Sequence, residues 1–205
     1  MKRIGDIMNG VTCTPDPSLL ESMRSVGYSL NTAVADVVDN SIAAQAQQVS
    51  IRYFDYGESP YIAIIDDGTG MDEHEAISAM KLAGTDSSHE RRANDLGRFG
   101  LGLKTASLSQ ARSLLLCSVK NGHQTTLRWD LDHVAAVRDW ELEVLNEQQT
   151  IRALPTKVRD LMPSTHGTCV LWRNLDRLET VAGDSLQDMD QAMSEPVSYT
   201  HLRAH

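Results

Sequence analysis

Cysteine is scarce in this sequence, long apolar runs are missing, and positive charge is not in excess. The three cysteines form no CxxC pair, and their spacing suits neither a disulfide framework nor a zinc site. A net charge of -9 argues against a surface that coats nucleic acid, although it leaves room for a local basic patch. No apolar signal core opens the chain and no run could cross a membrane, which predicts a cytoplasmic protein without a membrane partner.

Length and composition predict one folded domain with flanking segments. With 205 residues, 41% of them hydrophobic, the chain can bury a proper core, and apolar runs around Cys117 and Cys169 place both thiols there. The last ten residues, PVSYTHLRAH, break all patterning, so we expect an unpacked, non-native tail and a native protein that continues further. The expected divisions are an N-terminal arm (1–28), the main domain (29–176), the start of a truncated C-terminal region (177–195) and the tail (196–205).

The stretch SLNTAVADVVDNSIAAQA (29–46) predicts a helix. Its buried stripe is expected from apolar residues at four-residue spacing, namely Val34, Val38 and Ile42. Asp36 and Asn40 are four apart and therefore project from one face, away from that stripe. The same face carries small residues that leave room for a ligand: Ala33, Ala43 and Ala44. The alternative is an ordinary amphipathic helix with its polar residues outward.

The remaining patterns predict a mixed sheet with helices on one face. A capping box at Asp72 and Glu75 starts a second helix that ends at Gly84, and an Asn121-Gly122 turn joins two strands. A third helix follows from about residue 101, and strands are expected over 49–54, 61–66, 113–120, 123–130, 140–146 and 167–172. This order indicates an α+β fold, with a mixed, mostly antiparallel sheet covered on one face by helices.

The stretch IIDDGTGMD has the features of a ring-binding turn. Asp66 ends a buried strand, where its carboxylate can accept a hydrogen bond from an exocyclic amine. Gly68 and Gly70 let backbone approach a flat ring, and Met71 can pack on that ring. The alternative is a turn that simply ends the strand. Thr168 opens a late strand, and a lone threonine there is ordinarily structural.

The stretch DLGRFGLGLKTAS (95–107) is glycine-rich but fits neither common phosphate-loop template. Gly97 and Gly102 have Walker A spacing, yet Lys104 comes one position late. A dinucleotide fingerprint fails because Thr105 stands where the third glycine belongs. Basic residues cluster near this loop, either as a solvated face or beside a phosphate site: Lys81, His89, Arg91, Arg92 and Arg98.

Taken together, four ordered motifs resemble those of the GHKL ATPase superfamily. They are D-x-x-x-N at 36–40, D-x-G-x-G at 66–70, G-x-x-G-x-G at 97–102 and Gly-Thr at 167–168. The superfamily includes gyrase B subunits, MutL and MORC proteins, sensor histidine kinases and heat-shock chaperones, and the chain resembles above all its stand-alone bacterial ATP-binding members. The resemblance covers most of the chain and implies a Bergerat-type two-layer sandwich, with ATP and Mg²⁺ as ligands.

The resemblance also implies a role for each motif residue. Asn40 would hold Mg²⁺, and Asp66 would accept a hydrogen bond from the adenine amine, supported by Thr168 through water. The residues implied to line the adenine are Gly68, Gly70 and Met71. Those implied to cradle the phosphates are Gly97, Gly100, Gly102 and, as a further contact, Lys104.

Asp36 stands where the hydrolysing members carry a general-base glutamate, so the resemblance implies a catalytic role for it. Its side chain is shorter by a methylene group, and we therefore expect slow turnover. Ala43 also replaces an acid that many members carry three residues after the motif asparagine, which removes a contact near the nucleotide.

Three functions stay open at this point. In the first, Mg-ATP binds, a lid at residues 84–98 orders, and Asp36 promotes hydrolysis that drives conformational change or dimerisation. The second is a nucleotide-gated binding or assembly module with negligible turnover. The third is a kinase domain for a separate histidine protein. No histidine precedes Asp36 that could serve as a phosphoacceptor in this chain, and nothing in the sequence points to such a partner. The implied partners are ATP and a second copy of the chain, with nucleic acid reached only through regions beyond this sequence.

Overall fold

The computed structural model of the protein describes residues 16–24, 29–54, 60–81 and 102–177. The helices in these ranges are α1 (Leu19–Met23), α2 (Leu30–Ala43), α3 (Glu73–Met80), α4 (Gly102–Gln110), α5 (Leu131–Val137), α6 (Glu147–Ala153) and α7 (Thr156–Arg159). The strands are β1 (Val49–Phe54), β2 (Tyr61–Asp66), β3 (Ser113–Lys120), β4 (His123–Asp130), β5 (Glu143–Val144) and β6 (Gly167–Arg173).

The strands form one six-stranded sheet in the order β1-β2-β6-β3-β4-β5. The pairings in the described ranges are all antiparallel, which confirms the α+β class. The last strand, β6, lies between β2 and β3, so residues far apart in the chain become neighbours across the sheet. The predicted hairpin is present, with positive φ at both turn residues, 53° at Asn121 and 75° at Gly122.

The main core lies on the face of the sheet that α2 to α5 cover. Alternate residues of the central strands point to this face and pack with side chains from those helices: Ile62, Ile64, Leu114, Leu116, Val170 and Trp172. Each fully buried aliphatic side chain of this kind contributes about 1.5–3 kcal/mol to the free energy of folding. Leu20 of α1 also lies in this core, so the described part of the predicted arm packs on the domain.

The opposite face of the sheet carries a smaller core under two short helices that the sequence patterns did not predict. Leu154 and Val158, at α6 and α7, pack there with buried residues of β2, β3 and β6, including both predicted core thiols, Cys117 and Cys169. The first of these helices, α6, starts at a capping box that joins Asn146 and Gln149. An Asn followed three residues later by Gln was therefore a readable start signal.

The predicted stripe of α2 is wrong by one position. The helix buries Ala33, Val37 and Ser41, whereas Ile42 is 39% exposed. The periodic pattern counted apolar residues alone, and it missed that a buried serine here has a carboxylate partner. Val34 and Val38 are partly buried at the edge of the core.

Two other predicted elements are shorter in the structure. The helix that starts at the Asp72–Glu75 capping box, which is present as predicted, ends at Met80 and not near Gly84. The strand expected over 140–146 is reduced to two residues, Glu143 and Val144, and the chain before it forms the unpredicted helix α5, which Asp130 caps. Within the described ranges, no helix is both long and apolar enough to span a bilayer.

Candidate functional site

A buried carboxylate joins α2 to the end of β2. Asp66, the last residue of β2, is 7% exposed. Its Oδ2 accepts a hydrogen bond of 2.8 Å from Ser41 Oγ on α2, and its Oδ1 accepts one of 3.0 Å from the backbone N–H of Gly68. Asp66 of the D-x-G-x-G motif is thereby in contact with a residue 25 positions earlier, Ser41, which directly follows the D-x-x-x-N motif.

Burial and hydrogen bonding act on Asp66 in opposite directions. Burial raises the pKa of the Asp66 carboxyl above its ordinary value, because a charged group loses hydration there. Hydrogen bonds from Ser41, Gly68 and the backbone of Thr168 lower the pKa and offset part of that rise. The site is therefore a buried acceptor that its donors hold in place, suited to a ligand N–H group.

Three polar residues form a row across the sheet at this site. Thr168 on β6 pairs in register with Asp66 on one side and with Ser118 on the other. The hydroxyl oxygens of Ser118 and Thr168 are 2.9 Å apart. Ser118 Oγ also accepts a 2.8 Å hydrogen bond from the backbone N–H of Met71, so the row holds the turn that follows β2.

The glycines of this turn are required by its packing against protein. A Cβ on Gly68 would lie 2.9 Å from the Cβ of Ala44 and 3.0 Å from Asp66 Oδ1. Gly70 has a φ of +67°, and its Cβ would lie 1.9 Å from the carbonyl oxygen of Val119. The turn is thus pressed between the end of α2 and strand β3, beside the carboxylate. Lining of a flat ring by these glycines stays a prediction.

Asn40 and Asp36 lie on α2 as the four-residue spacing predicted. Asn40 is exposed, Asp36 is half-buried, and Asn40 Nδ2 donates a 2.7 Å hydrogen bond to the backbone oxygen of Asp36. That bond uses the amide nitrogen and leaves Asn40 Oδ1 for other partners. An amide oxygen is a hard donor of the kind that Mg²⁺ accepts. Ser41 follows Asn40 directly. The hydrogen bond from Ser41 to Asp66 therefore also holds the backbone of Asn40 in place relative to Asp66.

The glycine-rich stretch is described only from Gly102 onward, and the predicted residues Gly97 and Gly100 lie outside the described ranges. Gly102 is the exposed first residue of α4. Lys104, on the first turn of the same helix, is 2% exposed. Its Nζ donates to the backbone oxygens of Ala79 at 2.9 Å and of Lys81 at 2.7 Å.

The ammonium of Lys104 therefore links the start of α4 to the end of α3. Burial lowers the pKa of Lys104 to about 8, because the interior disfavours its charged form. An ammonium has three N–H donors, and two of them are used on these carbonyl groups. A phosphate contact through the third donor stays a prediction.

Sequence reasoning did not identify three residues that build this site. Ser41 and Ser118 bond to Asp66 and Thr168 respectively. Asp67 Oδ1 accepts from the backbone N–H groups of Gln47, at 2.7 Å, and Gln48, at 2.8 Å, which fastens the turn after α2. A serine inside the apolar run LLLCSV was the one readable signal for Ser118, since a buried hydroxyl needs a partner.

Comparison with known proteins identifies the family of this domain. A sequence model described as histidine kinase-, DNA gyrase B- and HSP90-like ATPase matches residues 28–168. The chain belongs to this family, and the described domain is a GHKL ATPase domain, whose ligand is ATP.

Similar proteins carry the same class of domain within much longer chains. Over 97 residues, which is 47% of this chain, it is 33% identical to the ATPase morc-1 of Caenorhabditis elegans. Over 98 residues, or 46% of this chain, it is 30% identical to the human ATPase MORC2. The matches span only 11% and 9% of those relatives.

Proposed function

We propose that this domain binds Mg-ATP and hydrolyses it slowly, and that nucleotide binding and release change its conformation or its association with a second copy. The observation that carries the proposal is the contact of Ser41 with Asp66, in register with Thr168. This contact joins the asparagine motif, the D-x-G-x-G turn and the late Gly-Thr strand in one place. Family membership supports ATP as the nucleotide, and these contacts support Asp66 as the residue that binds its base.

In this proposal the adenine ring lies against the turn after β2. Asp66 accepts from the exocyclic amine, and its raised pKa and buried position suit one ligand N–H group. Thr168 supports the same edge of the ring through water. Gly68, Gly70 and the half-buried Met71 line the ring, since each belongs to the turn that Ser118 holds.

The phosphates extend from the base toward α2 and the start of α4. Asn40 Oδ1 would coordinate Mg²⁺, which neutralises charge on the phosphates when bound. The described residues hold no group of three or more His, Cys, Asp or Glu side chains that could bind the ion without phosphates. Backbone amides at Gly97, Gly100 and Gly102, with the third donor of Lys104, would cradle the phosphates.

Hydrolysis would use Asp36 as the base that orients and deprotonates water. A phosphate-release assay tests this with two acids of the same helix, because Asp36 is half-buried whereas Asp39 is exposed. Asp36→Ala should lower the rate by roughly 100-fold or to background, the usual contribution of a general base. Asp39→Ala is the matched control and should keep the wild-type rate.

Equal rates for wild type and Asp36→Ala would contradict the hydrolytic role. If both proteins still bind ATP, that result would favour the second candidate, a nucleotide-gated module with negligible turnover. The shorter acid at position 36 is the observation that supports this candidate. Sedimentation with and without Mg-ATP would then test whether the nucleotide controls dimerisation. The lid at 84–98, the kinase alternative and a cytoplasmic location stay predictions.

A further inference from the structure

The end of α3 is capped by side chains from two other elements. The last carbonyl groups of a helix have no partner inside the helix, and a glycine in the left-handed conformation often closes such an end. Here the residue after the helix, Lys81, is extended, with φ of -62° and ψ of 129°. Trp129 Nε1 of β4 donates to the backbone oxygen of Met80 at 2.8 Å. Lys104 Nζ of α4 donates to the oxygens on either side, those of Ala79 and Lys81.

These contacts lie in the interior, where water does not replace them. Trp129 is 4% exposed, Lys104 is 2% exposed and Met80 is fully buried. A buried carbonyl group or ammonium that loses its partner keeps the full cost of its lost hydration. The partial negative charge at the C-terminal end of α3 also favours an ammonium there. The position of the Lys104 ammonium is therefore tied to the end of α3, and Trp129 holds that end against the sheet.

We propose that Trp129 is a positioning residue for the phosphate side of the nucleotide site, and that it acts through Met80 and Lys104. This inference rests on the proposed binding of the ATP phosphates at the start of α4. An ammonium is tetrahedral, so two N–H groups that point at carbonyl oxygens set the direction of the third. A change at the end of α3 therefore changes where the third donor of Lys104 points.

A donor that is oriented before the ligand arrives binds it more tightly, because less side-chain entropy is lost on binding. Trp129→Phe keeps an aromatic ring in the core but has no N–H for the Met80 carbonyl. The end of α3 then loses its hydrogen bond to β4, and Lys104 loses its fixed partners. In the alternative, Trp129 only fills the core, and its N–H has no influence on the phosphates.

A double-mutant cycle on Mg-ATP binding tests whether Trp129 acts through Lys104. Calorimetry would compare wild type, Trp129→Phe, Lys104→Met and the double variant. Trp129→Phe should weaken Mg-ATP binding by about 3- to 10-fold in the wild-type background, which is the order of one hydrogen bond. In the Lys104→Met background the same substitution should weaken binding by less than about 2-fold, because the residue through which it acts is gone.

Trp172→Phe is the matched control. Trp172 on β6 is fully buried in the same main core, but its Nε1 has no hydrogen-bond partner within the described ranges. The substitution removes the same volume as Trp129→Phe without removing a hydrogen bond. It should leave the affinity for Mg-ATP within about 2-fold of wild type.

Adenosine gives the second readout, because it carries the base without the phosphates. Equilibrium dialysis with labelled adenosine should find Trp129→Phe within about 2-fold of wild type, since Lys104 is not among the proposed base contacts. Equal losses for Mg-ATP and adenosine, or equal losses in both backgrounds of the cycle, would overturn the inference and leave ATP binding intact. Wild-type affinity for Mg-ATP in Trp129→Phe, or an equal loss in Trp172→Phe, would overturn it as well. Wild-type protein that binds no Mg-ATP would instead overturn the proposed function itself, and this inference with it.

Discussion

Ser41 Oγ and Asp66 Oδ2 are 2.8 Å apart, and this hydrogen bond ties the middle of the site to the helix that carries Asn40. Ser41 is buried, although a serine on a core-facing position of a helix is unfavourable without a partner. Its partner is a carboxylate whose pKa burial raises. The bond therefore holds the end of β2 against α2, and it lowers the pKa of Asp66 against the rise that burial causes.

Ser41→Ala should weaken ATP binding and shift its pH dependence. The pKa of Asp66 already lies above 3.8, and loss of the Ser41 donor should raise it further. Binding needs the ionised carboxylate, so affinity falls as pH decreases through that pKa, and the fall should begin at a higher pH in the variant. Affinities measured between about pH 4 and 7 check this. The exposed Ser78→Ala is the control, and a curve for Ser41→Ala that overlays it would refute the argument.

Lys104→Met should change how stability depends on alkaline pH. The folded pKa of Lys104, about 8, lies below its ordinary 10.5, so the unfolded chain binds more protons between these values. Stability of the wild type therefore rises with pH between about 8 and 10.5, by up to the order of 3 kcal/mol from this group, and the same amount is lost as pH falls from 10.5 to 8.

The variant lacks this rise, because methionine does not titrate. Urea unfolding at pH 7.5 and pH 10 measures the difference between the two proteins. Lys157→Met is the control, since Lys157 is exposed and should keep the pH dependence of wild type. The same pH dependence in Lys104→Met as in wild type would show that the ammonium is not buried against Ala79 and Lys81.

Gly70→Ala and Gly122→Ala form a matched pair at positive φ. The φ values are +67° and +75°, but a Cβ on Gly70 meets the Val119 oxygen at 1.9 Å, whereas a Cβ on Gly122 meets nothing within 4 Å. Gly122→Ala should lower the free energy of unfolding by about 1–2 kcal/mol, which is the cost of a left-handed backbone conformation at a residue with a Cβ. Gly70→Ala should lower it by about 1–3 kcal/mol more, because the turn must move. Equal losses in urea unfolding would contradict the close packing of this turn on β3.

The sequence predicted those elements that depend on residues close together in the chain. The capping box at Asp72 and the Asn121-Gly122 turn depend on residues within one turn of the chain, and both are present. The motif order also predicted the family, because the spacing of Asp36, Asn40 and Asp66 needs no knowledge of packing. The helices α5 and α6 were missed although Asp130 and Asn146 cap them, since their apolar residues are too few to show a period.

Side-chain contacts between residues far apart in the chain could not be predicted from the sequence in this way. Burial of Ser41 requires a carboxylate 25 residues away, and the role of Ser118 requires Thr168, which is 50 residues away. The sequence predicted Lys104 as a phosphate contact, which stays a prediction, but it did not predict that the ammonium also donates to the carbonyl groups of Ala79 and Lys81. The sequence singled out Lys104 but neither serine, and for all three residues only the fold identified the partner.

The most direct test of the central claim is calorimetric titration of Mg-ATP into wild type and Asp66→Ala. Asp160→Ala, which removes an exposed acid at the end of α7, is the control for loss of one charge. We expect wild type and Asp160→Ala to bind ATP with the same affinity, and Asp66→Ala to bind about 10- to 100-fold more weakly, since a hydrogen bond to a charged acceptor is lost. Binding of Asp66→Ala at the wild-type affinity would contradict the placement of adenine on Asp66 and the account of the site built on it.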